Sequence, residues 1–322
     1  MTRTTVGVLR GGTSNEYEHS LKSGAALMNA LPEERYDVRD IFVDKAGMWH
    51  RRGTPTDPAR ALAQIDAVLN VIHGGVGEDG SVQRILERAG VSYAGSRPLA
   101  SAMAHNKRRT REALQQVGIA MPRGVSFSLG ADMTTADMAR AVFDTFGPPY
   151  VLKPVAESGG HGIRIAETII DLPDAIGDLL DVFGNILVEE FIRGREASVE
   201  LVEGFRGEDL YALPPMHIEL PDTARVFDAP VRGSFRFDGP GNLAHSEKEA
   251  LMSIARAAHK ALALSHFSRA DIMLTSRGVP YLLEVNTTPK LHEHAALPHL
   301  LQYVGSSVRE FAEHLVVLAR RS

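Results

Sequence analysis

The sequence predicts a mixed architecture: an α/β domain with a parallel sheet over residues 1–100, then two α+β lobes over residues 101–190 and 191–322. Three observations predict it. The first segment repeats a unit in which an apolar strand runs into glycine and then into a helix, as parallel sheets do, with working loops at the strands' carboxyl ends. The second alternates helical and strand periods, and after Glu196 the chain becomes rich in strands.

The elements follow in order. "TTVGVL", Thr4 to Leu9, reads as a buried strand that ends at Gly11 and Gly12. In "NEYEHSLKSGAALMNAL", Leu21, Ala25 and Met28 recur at helical spacing until Pro32 stops the helix. "YDVRDIFVD" and "AVLNVIHGG" (Ala67 to Gly75) are the next strands, and "SVQRILERAG" is a helix closed by Gly90. The central lobe holds a helix in "HNKRRTREALQQVGI", the strand "GVSF", a helix in "MTTADMARAVFDTFG", and the strands "YVLKPV" and "ILVEEFI". "ASVELVEG", "DLYALPPMHIEL", "ADIMLT" and "PYLLEVN" are strands of the last lobe, and "SSVREFAEHLVVLARR" is an amphipathic helix. Polar, Gly/Pro-rich Asp222–Asn242 reads as a long ordered loop or a lid.

Composition narrows the function. The chain has 322 residues, 44% of them hydrophobic and 23% charged, which suits a globular protein with more than one core. A net charge of −5 argues against nucleic acid, and the densest basic run, "NKRRTR" (Asn106–Arg111), reads as a solvated helix face. Without a single cysteine, disulfides, thiolate catalysis and zinc–sulfur sites are excluded. The start shows no long apolar stretch, and no segment is apolar enough to span a bilayer, so the expectation is a cytoplasmic protein without a membrane partner.

Two stretches carry chemistry. In "VLKPVAESGGHGIRI" a strand delivers Lys153 to a loop containing Gly159 and Gly160. Glycines let backbone N–H groups approach a bulky anion, and the lysine adds a point charge, so the stretch reads as a phosphate clamp or, more plainly, as a turn between strands. "RADIMLTSRGVPYLLEVNTTP" reads as a hairpin. With Thr275 opposite Pro280, Asp271 faces Glu284 and Asn286 shares the Glu284 side of the sheet. Two carboxylates and an amide converging in apolar runs suit Mg²⁺, a hard cation. The plainer alternative has both acids facing solvent.

Together these features, with Lys107 upstream, resemble the ATP-grasp fold. Adding "GGTSNEYEHSLKSG", "HGGVGEDGSVQRILERAGVSYAGS", "SAMAHNKRRTREALQQVGI", "LVEEFIRGRE" and "LEVNTTPKLHEHAALPHLLQYVG", the chain resembles the D-alanine–D-alanine ligase family over nearly its whole length. That resemblance implies a Rossmann-like N-terminal domain and two lobes clamping ATP. It implies that Lys107 and Lys153 meet the ATP phosphates under the "ESGGHG" loop. Glu189 would accept from the adenine amino group, the backbones of Glu190 and Ile192 would frame the base, and Glu196 would bind the ribose. Asp271, Glu284 and Asn286 would hold two Mg²⁺ ions, with Mn²⁺ as an alternative. Glu16 would pair with the first amino acid's ammonium, His73 would sit near the reacting centre, and Arg269 would stabilise the acyl phosphate and tetrahedral adduct. Each also has a plainer reading: a helix cap for Glu16, a satisfied strand-end histidine for His73, and surface or solvated charges for Glu189, Glu196, Arg269 and Lys107.

The family pattern breaks at the amino-acid end. Gly159 and Gly160 replace two loop serines. The lid segment offers Arg232 and no tyrosine. Lys290 stands where the family has glycine, and Ala295 and Ala296 replace a serine and a leucine. Lys290 is expected to reach the acceptor's carboxylate beside Ala295. The expected activity is ATP-dependent joining of a carboxylate to an amine through an acyl phosphate, making D-alanyl-D-alanine or a close variant for peptidoglycan synthesis. Ligation to a different amino acid or amine, and a catalytically silent nucleotide-binding regulator, stay open, as do substrate chirality and assembly, a homodimer among the options.

Overall fold

The computed structural model describes residues 3–219, 236–239, 242–293 and 295–321. Three sheets organise it. In the first, β1 (Thr4–Gly11), β2 (Tyr36–Val43), β3 (Trp49–Arg51), β4 (Thr54–Thr56), β5 (Ala67–Asn70) and β6 (Ser92–Ala94) lie in the order β4-β3-β2-β1-β5-β6. The central pairs β1–β2, β1–β5 and β5–β6 are parallel, as expected. An antiparallel β3–β4 hairpin extends one edge, which the short "WHRRGTPT" did not announce.

The helices α1 (Tyr17–Ala30), α2 (Pro58–Ala61) and α3 (Ser81–Arg88) belong to this domain. Sequence spacing put Leu21, Ala25 and Met28 inward on α1, but the fully buried face is Ser20, Ser23, Gly24 and Leu27. The reason is polar: the Ser20 hydroxyl accepts from Gly11 N and donates to Val71 O, locking the helix to two strand ends. Gly24 allows the close approach, since a Cβ there would stand 2.4 Å from Arg10 Cδ.

The helices α4 (Pro98–His105) and α5 (Lys107–Gln116) lead to the second sheet, β7 (Gly124–Ser128), β8 (Tyr150–Pro154), β9 (Arg164–Ala166) and β10 (Asn185–Glu190), antiparallel in the order β7-β10-β8-β9. It is covered by α6 (Thr135–Thr145), whose N-cap Thr134 forms a capping box with Asp137, and by α7 (Leu172–Phe183).

The third sheet joins β11 (Arg195–Glu203), β12 (Leu210–Ala212), β13 (Met216–Glu219), β14 (Arg236–Asp238), β15 (Phe267–Leu274) and β16 (Pro280–Asn286). The expected strand "DLYALPPMHIEL" is two strands, because Pro214 and Pro215 interrupt it. Most of the expected lid Asp222–Asn242, with Arg232, lies outside the described residues; within it Arg236–Asp238 pairs with β13.

Helix packing crosses the sequence segments. Ala100, Ala104 and Leu114 of α4 and α5 share a core with the third sheet and with α8 (His245–Ala261). The last helices, α9 (Ala296–Tyr303) and α10 (Val308–Ala319), return to the first sheet, where Phe311 and Leu315 pack with Val6, Leu69 and Phe267. Each such fully buried side chain contributes about 1.5–3 kcal/mol. The chain's end therefore ties the first domain to the last lobe.

Candidate active site

The hairpin of β15 and β16 forms the centre. Thr275 N donates to Val279 O and Leu274 pairs with Pro280, so the turn is one residue tighter than the register expected from Thr275 and Pro280. A bulge at Leu283 restores the offset: Ile272 faces Leu282, yet Asp271 faces Glu284. Asp271 and Glu284 are therefore opposite each other, as expected, by a different route. Asn286 Nδ2 donates to Asp271 Oδ2 at 3.2 Å and to Glu284 Oε1 at 3.3 Å.

Cations surround this pair. Arg269 NH2 lies 2.9 Å from Asp271 Oδ2, and Lys107 Nζ lies 3.8 Å from Glu284 Oε2. Burial alone would raise Glu284, but Lys107, Arg269 and Lys153 hold it down to about 2. Asp271 is pushed upward, first by burial and then, against the pull of Arg269, by the Glu284 charge. Asp271 is buried and Glu284 half-buried, so neither simply faces solvent. Their donor set of carboxylate and amide oxygens, sharing one face, fits a hard divalent cation completed by phosphate oxygens.

Lys153 and Glu189 stand diagonally across β8 and β10, with Lys153 Nζ 2.7 Å from Glu189 Oε2. Arg111 also donates to Glu189, and all three are buried. The basic run "NKRRTR" is thus not uniformly solvated. Lys107 and Arg111, four residues apart, share the inner face of α5, while Arg108 and Arg109 are exposed. Lys107 Nζ donates to Glu157 O at 2.5 Å, joining the helix start to the Gly-rich loop. Gly159 and Gly160 sit at φ 68° and 73°, a region that strains an L side chain.

At the first sheet's carboxyl edge, Glu16 occupies the N-cap position of α1 but makes no capping bond with its side chain. It is buried, and Lys290 Nζ donates to its Oε1 at 2.5 Å. His73 is buried, with Nε2 3.0 Å from Ser23 Oγ. Burial, and then the Lys290 charge, hold it well below the usual histidine range, so the ring is neutral. Glu78, unremarked in the "GEDG" run, bridges domains: its Oε2 accepts from Gly74 N and from Ser158 Oγ of the Gly-rich loop.

A cavity of about 440 Å³ runs between the lobes. One end is lined by Lys153, Gly159, Gly160, Glu189, Glu190, Ile192 and Glu196; the hairpin's Arg269, Asp271 and Glu284 line its middle. Lys22, Lys290, Glu293, Ala295 and Ala296 line the other end, with Glu16 and His73 behind the wall. Glu190's side chain pairs with Arg123 at 2.7 Å, and its backbone N donates to Arg123 O at 2.9 Å. Lys107 and Asn286 lie in an adjoining pocket with Glu284.

This geometry has relatives. The family model for the D-ala D-ala ligase C-terminus matches residues 113–317, and that for the D-ala D-ala ligase N-terminus matches 52–96. The chain belongs to the D-alanine–D-alanine ligase family. It is 30% identical over 318 residues to a D-alanine–D-alanine ligase of Anaeromyxobacter dehalogenans, covering 97% of this chain and 95% of the relative. Identity is 32% over 323 residues to that of Geobacter sulfurreducens, covering 98% and 94%. Among solved structures it superposes on the VanG D-Ala:D-Ser ligase of Enterococcus faecalis with a TM-score of 0.86 at 26% identity, covering 99% and 100% of the two chains. Membership makes it an ATP-dependent, ADP-forming peptide ligase of the kind that serves peptidoglycan synthesis, with an ATP-grasp fold. Among the described residues no helix is long and apolar enough to cross a membrane.

Proposed function

We propose that this ligase joins two small amino acids, D-alanine or a close analogue, in the cytoplasm, where ATP is supplied. Supporting the reading above all is the Asp271–Glu284 pair flanked by Lys107, Lys153 and Arg269 at the floor of one cavity. Lys153 and Lys107 meet the phosphates beneath the Gly159–Gly160 loop. Glu189 and the Glu190 and Ile192 backbones receive the base, and Glu196 the ribose. Asp271, Glu284 and Asn286 would hold Mg²⁺, two ions in our reading with Mn²⁺ as a substitute, supplying charge neutralisation to the phosphates.

In the reaction an oxygen of the donor carboxylate attacks the γ-phosphorus of ATP, ADP leaves, and an acyl phosphate forms. The acceptor amine then attacks the acyl carbon, loses a proton and expels phosphate. Little covalent chemistry falls to the protein, which positions the reactants and stabilises charge. Arg269, held by Asp271 Oδ1 and Oδ2, presents fixed positive charge where oxyanion charge develops. Neutral His73 and Glu16 sit behind the donor site.

Lys290, Ala295 and Ala296 at the far end favour a second reading, an acceptor other than D-alanine. ADP release measured with a panel of D- and L-amino acids separates the two. Release with D-alanine alone supports the first, and release only with a larger or charged acceptor supports the second. ATP turnover indifferent to every amino acid would remove both.

A further inference from the structure

A carboxyl group lining the cavity is settled by a cation beside it or by keeping its proton, because a buried unpaired charge is costly. Glu189, Glu190, Asp271, Glu284 and Glu293 each stand within ion-pair distance of a lysine or arginine. Among the described residues, Glu196, which our reading gives to the ribose, and Glu200 do not. Glu200 is 3% exposed and lines the cavity, and among the described residues its Oε2 has no hydrogen-bond partner.

Its neighbours explain why. On β11, Glu200 pairs with Arg269 of β15, but that guanidinium donates to Asp271. The other nearby cation, Lys290, donates to Glu16. Two residues away on the same strand face, Ser198 also lines the cavity, is 1% exposed, and its Oγ likewise has no partner among the described residues. A buried carboxylate and a buried hydroxyl, side by side and both facing a cavity, accept from a group with a positive charge and several N–H bonds.

We propose that Glu200 and Ser198 receive the ammonium of an amino-acid substrate. Glu16 and Glu293, the other acids at this end, already stand with the Lys290 and Lys22 ammonium groups, so Glu200 is the acid the cavity offers. Its place across the ladder from Arg269 sets that amine beside the reacting centre. This inference rests on the ligase reading above, and the test separates the two.

The first arm is the wild-type enzyme with ATP and D-alanine. No amino-acid-dependent ADP release, with D-alanine or the rest of the panel, overturns the ligase reading and with it the ligand assigned to Glu200. Where release occurs, Glu200→Gln should raise the KM for D-alanine at one of its two sites by about tenfold or more, the size of one charge-assisted contact. The KM for ATP should stay within about twofold. Glu200→Asp should recover part of the loss, and Ser198→Ala should move the same constant several-fold, which keeps the test open if Glu200→Gln folds poorly. Unchanged KM values for D-alanine in both Glu200→Gln and Ser198→Ala overturn the proposal. So does a fall in kcat alone, which would make Glu200 an electrostatic partner of Arg269.

Discussion

The two ends of the cavity solve one problem in different ways. At the nucleotide end and in the middle, Glu189, Glu284 and Asp271 are matched to cations that a phosphate can also use, Lys153, Lys107 and Arg269, while Glu196 has no such ion pair among the described residues. At the amino-acid end Glu16 is closed off by Lys290 and lies out of the cavity, while Glu200 is left facing it. The first end keeps the lysines and acids the family resemblance implies, with Gly159 and Gly160 in place of two loop serines. The second has new charges and smaller side chains. On the reading proposed above, the difference teaches that reaction type and substrate choice are held by separate side chains on one continuous floor.

The largest effect should come from the shared middle. Asp271→Asn or Glu284→Gln should lower kcat by a factor of at least about 10²–10³, the range for losing one preorganised electrostatic group, with the fold intact by circular dichroism. Wild-type turnover in either variant would remove the hairpin from the mechanism.

Next, the nucleotide end can be broken by stability. Arg111→Ala strips one counter-ion from buried Glu189 and should cost about 3–5 kcal/mol in urea unfolding, toward the lower figure because Lys153 remains. A loss no larger than that of a surface arginine would show that the pair is solvated in solution.

The amino-acid end is sharpened by a double-mutant cycle. Glu16→Gln and Lys290→Met should couple by about 0.5–3 kcal/mol of stability, as contacting charges do. Lys290→Gly should shift amino-acid KM values while ATP's barely moves. An additive cycle together with a higher acceptor KM would return Lys290 to the acceptor's carboxylate, the role its position in the sequence suggests.

The last prediction is a pH dependence. Burial, opposed by Arg269 and reinforced by Asp271, pushes Glu200 from its ordinary 4.5 up to about 8. Between these values the unfolded chain has shed the proton that the folded protein keeps, so raising the pH favours unfolding. Glu200→Gln lacks this penalty. Its melting temperature relative to wild type should therefore climb by a few degrees between pH 5 and pH 8. A flat difference would mean that Glu200 is already ionised in the folded protein.

Much of the molecule was legible in advance. Strand–glycine–helix order announced the parallel sheet, and turn residues with alternating apolar runs announced the hairpin, because period and turn chemistry are local properties. The opposition of Asp271 and Glu284 was legible only because a tighter turn and a bulge at Leu283 cancel, and neither leaves a mark in the hydrophobic pattern. Glu78 and Arg111 stayed hidden, one inside an acidic turn and the other inside a basic run, where charge by itself reads as solvation.

The sequence by itself determined the strand–glycine–helix units, the closing hairpin, the absence of cysteine and, through its motifs over nearly the whole chain, the family. Only the tertiary structure decided which charges neutralise which. Glu16 and Lys290 lie 274 residues apart and meet at 2.5 Å because α9 and α10 carry the end of the chain back to the first sheet. Arg111 finds Glu189 across 78 residues by the same kind of closure, α5 packing along the lobes. An ion pair depends on distance and burial, and neither is set until distant segments share a core.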